Sequence, residues 1–346
     1  MLIRDSIIKS LQRNGGITRY WLSIIKGQAL DDLHVVDTNS ADDTYYSFSL
    51  ERVCPVQIKR YLPFLAFCNR TVVFHSSYYR YSLQRNRVKN VVTVHDCTYE
   101  KFSKGLTLWV HRTQKFLCLW FADHIIYVSQ NTKKDTEYFY PFTKRRASTI
   151  IYHGVSEDFM PLSDSIRTRK IKGSHLKPVI FVGSRDGYKQ FDFAVRALGK
   201  LGGHTLLIVG GGHLTRDELD LLRTNSVSFR HYEDVDDSTL NELYNKAVFL
   251  FYPSVYEGFG LPVIEAYSAK CPVIGYAGSS VTELHSDTRL LMQKLTYEEF
   301  MRCFRVLVNK DLATEVVEEN SRFAQKFRWN RCQQQHAKIY KTLLDK

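Results

Sequence analysis

Short apolar runs recur along most of the chain, separated by stretches whose apolar positions repeat at helical spacing. VVFHS (72–76), NVVTVHD (90–96) and HIIYVS (124–129) predict buried strands of one sheet. PVIFVG (178–183), TLLIVG (205–210), AVFLFYPS (247–254) and CPVIGY (271–276) predict those of a second. Helices are expected between them at 192–201, 238–245 and 262–269. Strands apolar on both faces, alternating with helices, belong to parallel sheets covered on both sides. Residues 160–177 (MPLSDSIRTRKIKGSHLK) are polar, basic and aperiodic, and predict a linker. The expected fold is α/β: two doubly wound Rossmann-like domains, at 1–165 and 175–325, facing a cleft. Ligands are then expected at the carboxyl ends of the strands and in that cleft.

Composition agrees with two ordinary globular domains. The 346 residues are 44% hydrophobic and 24% charged, which excludes disorder and fibrous repeats. Charge changes the picture more. The net charge is +12, of which residues 1–170 carry +10 and residues 171–346 carry +2. A basic first half implies a polyanionic partner: a phosphate-bearing substrate, an anionic lipid surface or nucleic acid. The seven cysteines form no CxxC pair and are odd in number, as in a reduced, cytoplasmic protein. The start, MLIRDSIIKSLQRNGG, lacks a sustained apolar region, so no signal peptide is expected. The longest apolar stretch, Phe116 to Val128, is broken by Asp123 and His124 and falls short of a spanning helix.

The most informative segment is FYPSVYEGFGLPVIEAYSAKCPVI (251–274). A strand ends near Ser254, a glycine-rich turn follows, and Pro262 stands where a helix would start. Such a turn presents unpaired backbone N–H groups at a helix N-terminus, which suits an anion. Glu257 in the turn and Glu265 in the helix then make sense as acceptors for hydroxyls: sugar hydroxyls for one, ribose hydroxyls for the other. The alternative is a tight turn with a carboxylate complementing the helix dipole.

Glu257 and Glu265, eight apart in EGFGLPVIE, resemble the E-x7-E signature of retaining GT-B glycosyltransferases of family 4, the glycosyl transferases group 1. Other segments resemble that family in the same order along nearly the whole chain. They are NGGITRYW (14–21), VTVHD (92–96), IIYVSQNTKKD (125–135), IYHGVSEDF (151–159) and FVGSRDGYKQF (181–191). FRWNRCQQQHAKIYKTLL (327–344) resembles the closing helix of the family, so 326–346 is expected to return to the N-terminal domain.

The resemblance implies a catalytic set of Glu257, His95, Arg185 and Lys189. It implies donor contacts from Gly15, Gly16, Arg185, Lys189, Gly258, Phe259, Gly260, Leu261 and Glu265. Arg185 and Lys189 follow a strand, where two cations would neutralise a departing diphosphate. Gly15 and Gly16 would let the backbone approach the donor, or form a plain turn. His95 would touch the donor sugar, the alternative being a satisfied core histidine; Asp96 would orient its loop or the acceptor.

No metal is expected: no Asp-x-Asp precedes a strand end, and Asp236–Asp237 has no ligand partner at useful spacing. No P-loop appears, and GGG (210–212) matches the dinucleotide fingerprint only superficially. The implied function is retaining, metal-independent, cofactor-free transfer of a hexose, mannose among the candidates, from a nucleotide diphosphate sugar. The acceptor would be a growing lipid-linked glycan of bacterial surface polysaccharide such as O-antigen. A nucleotide-sugar 2-epimerase and a nucleic-acid-binding protein using YYRYSLQRNRVKN (78–90) are the rivals, and no nucleic acid is expected. The charge asymmetry predicts a cytoplasmic protein in peripheral contact with the anionic inner face of the plasma membrane. Arg80, Arg85, Arg87 and Lys89, among Tyr78, Tyr79 and Tyr81, are the candidate contacts, with Lys144, Arg145 and Arg146.

Overall fold

The computed structural model describes residues 1–5, 7–12, 15–25, 35–37, 55–65, 70–163 and 177–345. They form two compact units, Met1–Gly154 with Arg328–Lys346, and Val155–Phe327.

The first unit contains β1 (Leu2–Arg4), α1 (Ile7–Leu11), α2 (Gly16–Ile25), β2 (Val35–Asp37), α3 (Val56–Lys59), β3 (Val72–Ser76) and β4 (Val88–Val94). It continues with α4 (Thr98–Phe102), α5 (Gly105–Phe121), β5 (His124–Tyr127), α6 (Gln130–Phe139) and β6 (Ser148–Ile150). The strands pair in the order β2-β1-β3-β4-β5-β6, all parallel. Alternate residues of each strand point to opposite faces. Val91 joins Leu2, Val73 and Ile126 against Tyr20, Trp21 and Ile24 of α2. Its neighbour Val92 joins Val94, Ile125 and Tyr127 against Cys118 and Leu119 of α5. Both faces being covered, the strands read as unbroken apolar runs.

The second unit begins with β7 (Lys177–Val182), α7 (Phe191–Leu201), β8 (His204–Val209), α8 (Arg216–Thr224), β9 (Ser228–Tyr232) and α9 (Asp237–Lys246). Then come β10 (Phe249–Tyr252), α10 (Leu261–Ser268), β11 (Val273–Tyr276), β12 (Leu291–Met292), α11 (Tyr297–Val308) and α12 (Lys310–Ala324). The order β12-β11-β10-β7-β8-β9 is parallel throughout. Read from its other edge, this is the 3-2-1-4-5-6 winding of dinucleotide-binding domains. Val179, Phe181, Leu206, Ile208, Phe249 and Phe251 pack under α7, α11 and α12. Chain direction reverses between β7 and β10 here, and between β1 and β3 in the first unit. Ligands bind outside the carboxyl ends at such reversals, because the two flanking loops diverge there.

The boundary differs from the expected 1–165. It falls after Gly154, because 155–163 are already fastened to the second unit. The N–H of Met160 donates to Asn241 Oδ1 (3.1 Å) and that of Leu162 to Asn245 Oδ1 (2.8 Å), both on α9. Of the expected linker, residues 164–176 lie outside the described residues, and Lys177 already opens β7. The final helix α13 (Trp329–Leu344) packs Cys332, Ala337, Tyr340 and Leu343 into the α2 face of the first sheet. Gly154 is needed at that join: a Cβ there would lie 2.2 Å from the backbone N of Trp329.

Candidate active site

In the second unit the two loops at the β7/β10 reversal meet. Lys189 closes a 3-10 turn (Gly187–Lys189) after β7, and Glu257 lies in the turn after β10. The Lys189 Nζ donates to Glu257 Oε1 at 2.6 Å, with side chains 12% and 11% exposed. The loops are tied together: Val255 N–H donates to Tyr188 O (2.9 Å), as does the Ser254 hydroxyl (3.4 Å). Across the turn, Glu257 O accepts from the hydroxyls of Ser279 (2.6 Å) and Ser280 (2.8 Å). The Lys189 ammonium lies over the rings of Tyr188 and Tyr252, 5.6 and 5.5 Å from their centres. Burial, reinforced by the Glu257 charge and hydrogen bond, holds the Tyr252 hydroxyl well above the usual phenol range. Tyr252 therefore stays a neutral donor beside Glu257.

Gly258, Phe259, Gly260 and Leu261 carry the chain from Glu257 into α10. Gly260 is the residue before the helix, at φ +108, where a side chain would be strained and would press on Leu284 (3.1 Å). Pro262 follows in the first turn, and no side chain caps the helix. Of the first three residues Pro262 has no N–H and Val263 donates its own to Gly260 O (3.0 Å). A helix start without a capping side chain still favours an anion through its dipole. Phe259 is buried against Phe327. Glu265, only 2% exposed, accepts from the Tyr244 hydroxyl at 3.2 Å.

Arg185 departs from expectation. Its guanidinium is held in the turn after β8. Its Nε donates to Glu218 Oε1 (2.7 Å), Nη1 to Gly210 O (2.7 Å), and Nη2 to the carbonyls of Gly211, Gly212 and His213. This accounts for GGG (210–212). The three glycines sit at φ +82, +79 and +70, and a Cβ on Gly211 would lie 2.3 Å from Arg185 Nη1. Glu218 is in turn fixed by a capping box with Thr215 at the start of α8. Asp236 also has a local duty, capping α9 through the N–H of Thr239 (2.8 Å).

In the first unit His95 and Asp96 follow β4. His95, Thr93 and Asp96 line a cavity of about 50 Å³ with Ile17, Tyr99 and His111. Ile17 follows Gly15 and Gly16 at the start of α2, so the structure brings that segment and His95 to one cavity. Burial lowers the His95 pKa to about 4 against the opposing pull of Asp96, and its buried Nδ1 has no hydrogen-bond partner among the described residues. Asp96 accepts from Thr98 N–H (2.9 Å), which orients the start of α4. Behind the cavity the Tyr20 hydroxyl joins Thr93 Oγ1 (3.0 Å) and His336 Nε2 (2.7 Å). His75 joins Thr93 (2.9 Å) and Tyr340 (2.6 Å).

In the basic stretch 78–90, Arg80 needs correction as a surface contact, whereas Arg85 and Arg87 are exposed. Arg80 is 1% exposed and pairs with Asp5, because the chain leaving β3 turns it under the β1 loop. Sequence reading missed Tyr252, Ser279, Ser280 and Tyr20; only the small-residue run GSS (278–280) after a buried strand offered a signal. Among the described residues no three His, Cys, Asp or Glu side chains gather as a metal site, and no helix is long and apolar enough to cross a membrane.

Residues 14–159 match the family model Glycosyltransferase Family 4, and residues 177–310 match Glycosyl transferases group 1. An uncharacterized glycosyltransferase of Methanocaldococcus jannaschii is 26% identical over 65% of this chain and 61% of its own length. The O-antigen chain mannosyltransferase B of Escherichia coli is 31% identical over 33% of this chain and 30% of its own. The matches thus span less than two thirds of the length of these relatives. Sucrose-phosphate synthase from Thermosynechococcus elongatus superposes with a TM-score of 0.75 at 17% identity, covering 99% of both chains, which makes the fold GT-B. With one family model on each sheet unit and the E-x7-E turn at the β7/β10 reversal, this chain belongs to the group 1/family 4 glycosyltransferases.

Proposed function

We propose that this chain transfers a hexose from a nucleoside diphosphate sugar to a hydroxyl of a growing lipid-linked glycan, with retention at the anomeric carbon and without a metal. Mannose and a bacterial O-antigen or related surface polysaccharide are the favoured substrate setting, supported by the partial likeness to the E. coli mannosyltransferase. The observation that carries the reading is the Lys189–Glu257 contact of 2.6 Å beside the uncapped start of α10.

The chemistry follows from charge. Breaking the bond between the anomeric carbon and phosphate oxygen leaves negative charge on the diphosphate. The Lys189 ammonium and the positive end of the α10 dipole oppose that charge where it grows. Glu257 accepts from a hydroxyl of the transferred sugar, and Glu265, oriented by Tyr244, accepts from the ribose hydroxyls. The acceptor oxygen bonds to the anomeric carbon on the face the leaving group vacates, and its proton passes to the departing phosphate oxygen. His95, neutral at pH 7, contributes a hydrogen bond to the donor sugar. Arg185 takes a supporting part, fixing the glycine turn after β8.

The test is incubation with UDP-, GDP- and ADP-hexoses and a bacterial lipid extract, with EDTA present, followed by NMR of the linkage formed. A glycolipid with the donor's anomeric configuration is expected. An inverted linkage, or transfer only after a divalent metal is restored, would overturn the mechanism.

A further inference from the structure

Helix α5 (Gly105–Phe121) is packed inside out. The face turned into the protein carries His111, Gln114 and Lys115 beside Cys118 and Leu119. Lys115 and Gln114 each have hydrogen-bond partners, and His111 stacks on Tyr99 with ring centres 3.9 Å apart. Lys115 Nζ pairs with Glu100 (3.1 Å) and donates to Asp96 O (2.7 Å), and Gln114 Nε2 donates to Arg60 O (2.6 Å). The opposite face holds Leu106 (80% exposed), Trp109 (69%), Val110, Phe116 and Trp120. Their offsets of 0, 3, 4, 10 and 14 residues place them on one stripe of a helix. Exposed Phe102 of α4 lies close by in sequence, and Phe142 packs edge-on to Phe116 and Trp120 at 5.1 and 5.3 Å. A contiguous apolar stripe of this kind on a soluble surface marks an interaction site.

Charge identifies the occupant. Residues 105–121 contain no acidic side chain, and Glu100 just before them is buried against Lys115. Exposed Lys104 and Arg112 border the stripe along the helix, and exposed Lys144 and Arg145 stand close by in sequence to Phe142. At its far end Arg146 and Arg85 both donate to Trp120 O (2.7 and 3.1 Å), and the Arg146 guanidinium lies 5.5 Å over the Trp120 ring. Apolar and tryptophan side chains rimmed by cations match a bilayer surface, where the rings enter the headgroup boundary and the cations meet lipid phosphates. Two copies of this helix face to face would oppose cation to cation, which disfavours a homodimer.

We infer that the exposed face of α5, with α4, docks this chain on an anionic bilayer. His111 and Tyr99 also line the His95 cavity, so docking would hold that cavity beside the lipid surface. The inference deepens the lipid-linked acceptor of the proposed function and rests on that reading for its purpose. It takes in Arg85 of the expected Arg80–Lys89 stretch and leaves out the buried Arg80.

The full chain is cosedimented with vesicles of phosphatidylcholine alone and of phosphatidylcholine with phosphatidylglycerol. Binding to the anionic vesicles is expected, weakened but not abolished by salt, with a blue-shifted tryptophan emission. Combined Leu106→Ser, Trp109→Ser and Val110→Ser should lower vesicle affinity by at least about tenfold. Nucleoside diphosphate binding, read separately by calorimetry, should not change, since these exposed side chains belong to the first unit and the Lys189–Glu257 pair to the second. Lys144→Gln with Arg145→Gln should weaken binding at low salt only. No binding to anionic vesicles, undiminished binding by the triple variant, or a dimer that this variant converts to monomer would each overturn the inference. Loss of diphosphate binding with vesicle binding intact would instead count against the proposed donor site.

Discussion

Two ion pairs occupy equivalent places in the two sheets, and they are built differently. Asp5 follows β1 and Arg80 follows β3, flanking the reversal in the first unit; Lys189 follows β7 and Glu257 follows β10, flanking that of the second. The Asp5–Arg80 pair is sealed, with side chains 0% and 1% exposed. Asp5 is saturated by the hydroxyls of Ser76 and Ser77 and the Ser77 N–H. The Lys189–Glu257 pair keeps about a tenth of each side chain open and adjoins an uncapped helix start. Topology alone therefore does not make a site. Sealing turns the same position into a structural clamp, and leaving it ajar keeps the charges available to a ligand.

The comparison can be broken most severely at Asp5. Asp5→Ala strands the buried Arg80 charge and should cost about 3–5 kcal/mol in denaturant unfolding. Calorimetric affinity for a nucleoside diphosphate should be kept by the molecules that remain folded. Glu257→Gln should do the reverse. Turnover should fall about a hundred- to a thousandfold, the range for a transition-state contact, while the unfolding midpoint barely moves. An equal stability loss in both variants would erase the distinction.

Acid should also separate the units. In the first, burial lowers His95 and His336 to about 4 and His75 and His153 well below their usual value. These rings are neutral when folded and bind protons near pH 6.5 when unfolded. For His95 and His336 the contribution to stability is complete above pH 6.5 and is lost as pH falls from there through about 4; that of His75 and His153 is lost in the same direction. For His95 or His336 a shift of that size amounts to about 3 kcal/mol at most. Among the described residues of the second unit only His285, lowered to about 3, is comparably buried. All four tryptophans (21, 109, 120 and 329) belong to the first unit. Tryptophan emission should therefore change at higher pH than the bulk of the far-ultraviolet circular dichroism; the opposite order would contradict this.

How far the sequence revealed this follows from what each feature depends on. Strands such as 72–76 and 205–209 announce themselves because both of their faces are buried. Leu2–Arg4 and Leu291–Met292 are too short to show a pattern, although the first sets the reversal of its sheet. Helix α5 escaped because its apolar stripe faces outward, although the strand that follows it at 124–127 was read. The turn holding Glu257 was legible because its glycines, proline and carboxylates are local. The burial of Arg80 and the partners of Arg185 were hidden for the opposite reason. Their partners, Asp5 and the 210–213 carbonyls with Glu218, lie 75 and 25–33 residues away.

The central claim is that the Lys189–Glu257 pair receives the donor diphosphate, and titration calorimetry tests it most directly. UDP, GDP and ADP are titrated into the wild-type chain and into Lys189→Ala, with EDTA present and with the parent nucleosides as controls. One diphosphate should bind the wild type and bind Lys189→Ala at least about tenfold more weakly, as for a lost charge-assisted contact, while the nucleoside control is unchanged. No binding by any of the three, or an unchanged affinity in Lys189→Ala, would contradict the account.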